Sequence, residues 1–215
     1  MLLSELQEEE ESLVATATEM FPPKELQLKT KIKYIPFNIA SRKQIAERLM
    51  AKGWKPTKHT DKNNVIVNEE TLSHIKMPEA QMFSRFFLLQ KRTGMLKSWI
   101  KECHDDNKVR GRVMTLKTIT GRMAHNSPNM AQVPASYSPY GKEFRSLWTI
   151  SDPDNYNLIG TDASGLELRC LAHYMKDKEY IHEVVNGDVH TANMKMAGLT
   201  NRDQAKTFIY AFLYG

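Results

Sequence analysis

Apolar positions recur at helical spacing through the first third of the chain. Leu2, Leu3, Leu6, Leu13 and Met20 fall on one face, with glutamates on the other, which predicts a solvated amphipathic helix over 1–20. Pro22-Pro23 stops it. Residues 24–37 (KELQLKTKIKYIPF) alternate basic and apolar, as an extended connector does. Ser41 and Gln44 are spaced as a capping box, Ile45 and Leu49 supply an apolar stripe, and Gly53 is placed to end that helix. Residues 54–68 read as loop around the short apolar run 65–67. The longest predicted helix covers 78–102, with Met82, Phe86, Leu89, Leu96 and Ile100 as its apolar positions. Its polar face carries Arg85, Lys91, Arg92, Lys97 and Lys101. Two readings stay open: a core-facing helix with a solvated back, or a basic face along a phosphate backbone.

The texture changes at 110. RGRVMTLKTIT reads as a strand pair, and GRMAHNSPNMAQVPASYSPYG as loop. FRSLWTI and YNLIGTDA read as strands, and LELRCLAHYM as helix. Thr200 is the predicted cap of a last helix running through Tyr214, with Asp203 at its third position. Helices first and a mixed segment afterwards predict an α+β chain of two or three sub-domains.

Composition narrows the function classes. A chain of 215 residues, 41% hydrophobic and 26% charged, can bury one sizeable core or two small ones. No window approaches an uncharged membrane span, and MLLSELQEEEE lacks the basic start of a secretory signal. Cys103 and Cys170 stand far apart with no CxxC, which excludes a disulfide scaffold and a thiolate zinc site. Net charge is +5, but residues 1–19 hold six glutamates and no Lys or Arg, so residues 20–215 carry +11. A body this basic points toward a polyanion such as nucleic acid.

Three segments carry candidate chemistry. In YNLIGTDASGLELRCLAH a predicted strand ends on Asp162, followed by small residues and a helix. A carboxylate beside backbone carbonyls is a hard-oxygen site suited to Mg²⁺, although Asp at such a turn also serves as a plain N-cap. In NRDQAKTFIYAFLYG, Arg202, Lys206, Tyr210 and Tyr214 are spaced by four and form one slowly turning stripe. Two cations followed by an aromatic suit a triphosphate and its base; the alternative is a solvated basic face. Phe208, Ile209, Phe212 and Leu213 are the predicted buried side of that helix. In TGRMAHNSPNMAQVP, Arg122, Asn126, Asn129 and Gln132 are donors suited to phosphates and base edges, or turn formers alone.

TGR…PNMAQVP, DASGLELR, GDVH and RDQAKTFIYAFLYG stand in the order and spacing of family A DNA polymerases, and the chain most resembles their T7-like bacteriophage replicative members. FNIASRKQIAERLMAKGWKPTKHTDK and LLQKRTGML resemble that family's thumb, so the resemblance covers about residues 13–215. It implies part of a right-hand polymerase: a helical thumb over 1–109, an antiparallel palm segment over 110–174 and the start of the fingers, including a fingers helix, over 175–215. It implies that Asp162 binds two catalytic Mg²⁺ ions, that the Ala163 carbonyl helps hold the nucleotide-side one, and that Glu167 is the steric gate against a ribose 2′-OH. It places His190, Arg202 and Lys206 on the triphosphate, with Lys206 as general acid toward pyrophosphate. Tyr210 is implied beside the incoming sugar and base, and Tyr214 beside the templating pair. Arg122, Asn129 and Gln132 are implied on the primer–template. The reaction implied is template-directed deoxynucleotidyl transfer, in the cytoplasm of an infected bacterial host.

The chain also departs from the pattern. The family's second metal-binding aspartate, in a His-Asp hairpin, has no counterpart; His104-Asp105 lies in a polar run before the palm motif and reads as loop. The expectation is a partial polymerase, little active alone, with a polypeptide carrying the remaining palm and fingers as partner. No proofreading exonuclease domain is expected. TEMFPPKELQLKTKIKYIPFN joins the thumb helices directly, which speaks against thioredoxin as a partner. The acidic helix 1–13 is a candidate join to a separate piece. A non-catalytic primer–template binding fragment is the alternative in another class, and a basic structural protein with coincidental motifs a third. Single-subunit RNA polymerases share the palm Asp and the Arg…Lys…Tyr-Gly helix, but Glu167 and Tyr210 favour deoxynucleotides.

Overall fold

The computed structural model of the chain describes residues 1–28 and 30–214, without the side chains of Asp203 and Tyr214. Two compact units divide it, Met1–Trp148 and Thr149–Gly215. The first unit is built on two long helices, α1 (Leu2–Met20) and α4 (Pro78–Lys101), which pack on each other. The sequence pattern explains α1, but not its surroundings. Leu6 and Ala17 are buried, and Glu9 receives Arg85 on α4 through two bonds of 2.6 and 2.7 Å. The predicted solvated helix is therefore a packed one, because its leucines meet the apolar face of α4.

β1 (Lys24–Gln27) and β2 (Ile32–Ile35) form an antiparallel hairpin with Lys24 opposite Ile35 and Gln27 opposite Ile32. α2 (Arg42–Ala51) starts at Ser41, whose Oγ accepts from Gln44 N at 3.4 Å. The Gln44 side chain does not complete the box; its Oε1 accepts from Asn38 N at 2.7 Å instead. At the other end Gly53, at φ +98°, donates to Met50 O while Trp54 N donates to Leu49 O. That pair of bonds is the Schellman ending, and it needs the left-handed residue that glycine supplies. The short α3 (Glu69–Ser73) was not legible from periodicity; an Asn68/Thr71 capping box starts it.

Two clusters fill this unit. Phe21, Phe37 and Phe83 meet with ring centroids 4.7 to 5.9 Å apart, surrounded by Ile45, Leu49 and Leu72. Leu6, Leu89, Leu96, Trp99 and Phe144 form the other. Phe86, Leu89 and Leu96 of the predicted apolar face of α4 are buried and Met82 is half-buried, but the buried face is wider than predicted and stops short of Ile100. Ile100 is exposed, while Arg92 is buried with its guanidinium 5.6 Å from the Phe144 ring. Arg85 and Arg92 are thus spent inside the unit, and only Lys91, Lys97 and Lys101 of that basic set stay exposed.

β3 (Arg112–Met114) pairs antiparallel with β4 (Ala124–Asn126), so the predicted strand pair within 110–120 is one strand and a turn. A 3-10 turn, Met130–Gln132, follows. FRSLWTI is not a strand: Phe144 lies in helix α5 (Gly141–Ser146). Phe144 and Trp148 are four apart and both meet Trp99 edge-on, at 5.4 and 4.8 Å, a helical rather than alternating pattern.

The second unit holds α6 (Leu166–Met175), α7 (Lys178–Asn186), α8 (Val189–Met196) and α9 (Arg202–Tyr214) around Leu168, Ala172 and Val184. YNLIGTDA forms no strand; Leu158 and Ile159 are exposed, with no pairing partner among the described residues. A single extended segment has nothing to satisfy its backbone groups, so pattern alone does not make a strand. Few antiparallel strands among many helices make the chain α+β. No helix among the described residues is long and apolar enough to cross a membrane.

Candidate functional site

The second unit gathers most of the predicted nucleotide-side residues at the junction of α8 and α9. Asp188 caps α8: its carboxylate accepts from the backbone N–H of His190 at 3.2 Å and of Thr191 at 3.4 Å, and from the Thr191 hydroxyl at 2.7 Å. Asn201, not Thr200, caps α9, its Oδ1 accepting from Gln204 N at 3.1 Å. Asn is the stronger cap, and the Thr200 hydroxyl is turned to Gln204 Oε1 instead. Arg202, the first residue of α9, donates through Nε and Nη2 to both oxygens of Asp188, at 3.0 and 3.2 Å. These bonds, the Arg202 guanidinium first, hold the Asp188 carboxyl well below the usual carboxylate range.

His190 and Tyr210 face each other with ring centroids 6.4 Å apart. Burial, and after it the Arg202 charge, pull the His190 pKa below its ordinary value; Asp188 opposes this and Lys206 adds to it. The neutral imidazole is thereby favoured, and its Nδ1 is buried with no hydrogen-bond partner among the described residues. Tyr180 Oη and Asn193 Nδ2 are buried in the same condition. Burial, with Tyr210 beside it, pushes the Tyr180 hydroxyl pKa up. The buried side of α9 is Ala205, Ile209 and Leu213. Phe208 and Phe212, predicted to be buried, stand exposed and stack on each other at 6.4 Å. They lie off the face of α9 that meets its neighbours, and among the described residues nothing covers them.

His190, Arg202, Lys206 and Tyr210 are thus brought together. The Tyr214 side chain lies outside the described residues. Asp162 and Ala163 sit in the irregular segment before α6, both exposed, and the Ala163 carbonyl accepts from Leu166 N at 3.3 Å. No described hydrogen bond or ion pair joins Asp162 to the α8–α9 group. Glu167 is half-buried in the first turn of α6. Among the described residues no group of three or more His, Cys, Asp or Glu is placed to hold a metal ion. One exposed carboxylate and one turn carbonyl do not fit a pair of Mg²⁺ ions, which need six oxygens each.

In the first unit, β4 and the 3-10 turn place the predicted DNA-side residues. Arg122 is exposed, and its carbonyl accepts from the Thr118 N–H and hydroxyl, both at 3.1 Å. Asn129 is used as a cap, its Oδ1 accepting from Ala131 N at 3.1 Å, and Gln132 is exposed. The segment that follows is bound from α4 and α5: Arg92 donates to Pro139 O and Arg145 to Pro134 O. Asp188 is the site residue that sequence reasoning missed. The signal was present in GDVHT, an Asp three before a Thr at a helix start.

The family model for DNA polymerase family A matches residues 6–215. The chain is 40% identical over 205 residues to the DNA-directed DNA polymerase of Escherichia phage T7, covering 86% of this chain and 29% of that protein. The enzyme of Enterobacteria phage T3 matches with the same figures, and DNA polymerase I of Bacillus subtilis is 28% identical over 195 residues, covering 84% and 22%. The chain therefore spans less than a third of the length of these relatives. Among solved structures, the POL domain of Pol1 from M. smegmatis, in complex with DNA primer-template and dNTP, superposes with a TM-score of 0.79 at 17% identity. That superposition covers all of this chain and 38% of the other, and carries the fold alone. Over nearly its whole length, then, this chain belongs to DNA polymerase family A.

Proposed function

We propose that the chain forms the thumb, early palm and first fingers elements of a phage replicative DNA polymerase, acting in the cytoplasm of an infected host. Its role is to hold primer–template and the incoming dNTP for deoxynucleotidyl transfer to a primer 3′-OH. The carrying observation is the cluster of His190, Arg202, Lys206 and Tyr210 on two packed helices, in a chain of this family. Arg202 and Lys206 supply charge for phosphate oxygens, as a planar fork and a point charge. His190, whose neutral form burial favours, adds a hydrogen bond to the same group. The Tyr210 ring stacks beside the sugar and base, and Lys206 hands a proton to the leaving pyrophosphate. Glu167 restricts the pocket to deoxyribose, and Arg122, Asn129 and Gln132 take the primer–template.

Two Mg²⁺ ions belong to the reaction class, with Asp162 as one ligand. Asp162 does not hold them unaided, so in this reading a further polypeptide segment supplies carboxylates. The test is binding of dATP to the purified chain by calorimetry. Lys206→Ala removes one charge-assisted bond, worth about 1.5–3 kcal/mol, so affinity falls about tenfold or more. Equal affinity in the two proteins sinks the assignment.

A further inference from the structure

We propose that Asp188 is a built-in competitor for the phosphate-binding edge of Arg202, so that an incoming triphosphate takes over the guanidinium from this carboxylate. The inference rests on the nucleotide reading above. An arginine grips a phosphate best through two parallel N–H groups on one edge. On Arg202 the Nε/Nη2 edge already meets both oxygens of a carboxylate, at 3.0 and 3.2 Å. The carboxylate is no passing neighbour. Three further bonds from the start of α8 fix it, two of them backbone N–H groups. His190 is one of those backbone donors, so the competitor is tied to the same pocket it guards.

Exposure decides how strong the competition is. The Arg202 and Asp188 side chains are 54% and 46% exposed, so the pair is solvent-screened. An exposed pair of this kind contributes little, and a polyanion that also meets Lys206 outbids it. Asp188 does not lose its other bonds in the exchange, because the α8 N-terminus continues to hold it. The contact is a modest penalty on binding, and a ligand with several charged phosphate oxygens overcomes it.

The experiment uses inorganic tripolyphosphate and the full 215-residue chain, with affinity read by calorimetry at low salt. Asp188→Asn keeps the cap, since Asn accepts the same backbone N–H groups, but removes the charge. It is expected to bind tripolyphosphate about two- to fivefold more tightly than the parent chain. In an Arg202→Ala background the same substitution is expected to change affinity by less than half of that. Weaker or unchanged binding by Asp188→Asn, with helix content preserved by circular dichroism, overturns the proposal. Equal tightening with and without Arg202 also overturns it, since the effect is then bulk charge. Failure of every variant to bind tripolyphosphate overturns the nucleotide reading itself, and the competitor with it.

Discussion

Leu6→Ala tests whether the acidic first helix is part of the packed body. Leu6 is 1% exposed and sits against Leu89, Leu96, Trp99 and Phe144. Truncation removes buried methyl groups and leaves a gap between helices that Trp99 and Phe144, locked edge-to-face, do not readily fill. Such changes cost about 2–5 kcal/mol, with about 3 kcal/mol a central value. A domain stability of about 5–15 kcal/mol makes this a large fraction. For an m-value near 2 kcal/mol/M, the urea midpoint falls by roughly 1.5 M. Tryptophan fluorescence follows the transition, because Trp99 lies in the cluster and Trp148 packs against it. The control is Val14→Ala on the same helix, 40% exposed, expected to cost about 0.5 kcal/mol or less. If Leu6→Ala shifts the midpoint no more than this control, α1 is a solvated arm and the packing argument is wrong.

Two further outcomes follow from the same unit. A Cβ on Gly141 would lie 1.8 Å from the Ala135 carbonyl oxygen, a clash with backbone; Gly141→Ala therefore lowers stability by about 2 kcal/mol or more in urea titration. The Arg85 guanidinium, aided by the Tyr140 hydroxyl, holds the Glu9 carboxyl below its ordinary 4.5. The Arg85–Glu9 stabilisation is accordingly full above that value and is lost as pH falls through the lower, folded one. Glu9→Gln costs about 1 kcal/mol or less at neutral pH, since both side chains are over a third exposed, and flattens the acid limb of the stability profile. An unchanged acid limb in thermal melts would count against the pair.

What the sequence made legible was local. Helices with their own apolar stripes, α1, α2, α4, α6 and α9, were readable because that signal lies within a few residues; only α2 also shows the cap read for it. So was the Arg202–Lys206–Tyr210 row, since a spacing of four is a property of one helix. The rest depended on partners distant in the chain. The IGTD segment has strand-forming residues but no strand beside it, so its pattern misled. Arg85 and Arg92 looked like surface cations, yet Glu9, Tyr140 and Phe144 draw them inward. Tyr140, at φ +61°, enters α5 through a left-handed backbone that periodicity does not reveal. The exposure of Phe208 and Phe212 turns on which side of α9 meets its neighbours.

The most direct test is photolabelling of the intact chain with azido-dATP, followed by peptide mapping. The account predicts labelling confined to the second unit, on α6, α8 and α9 within residues 166–210, and chased by unlabelled dATP. Labelling that falls on residues 1–148, or that excess dATP does not chase, would contradict it.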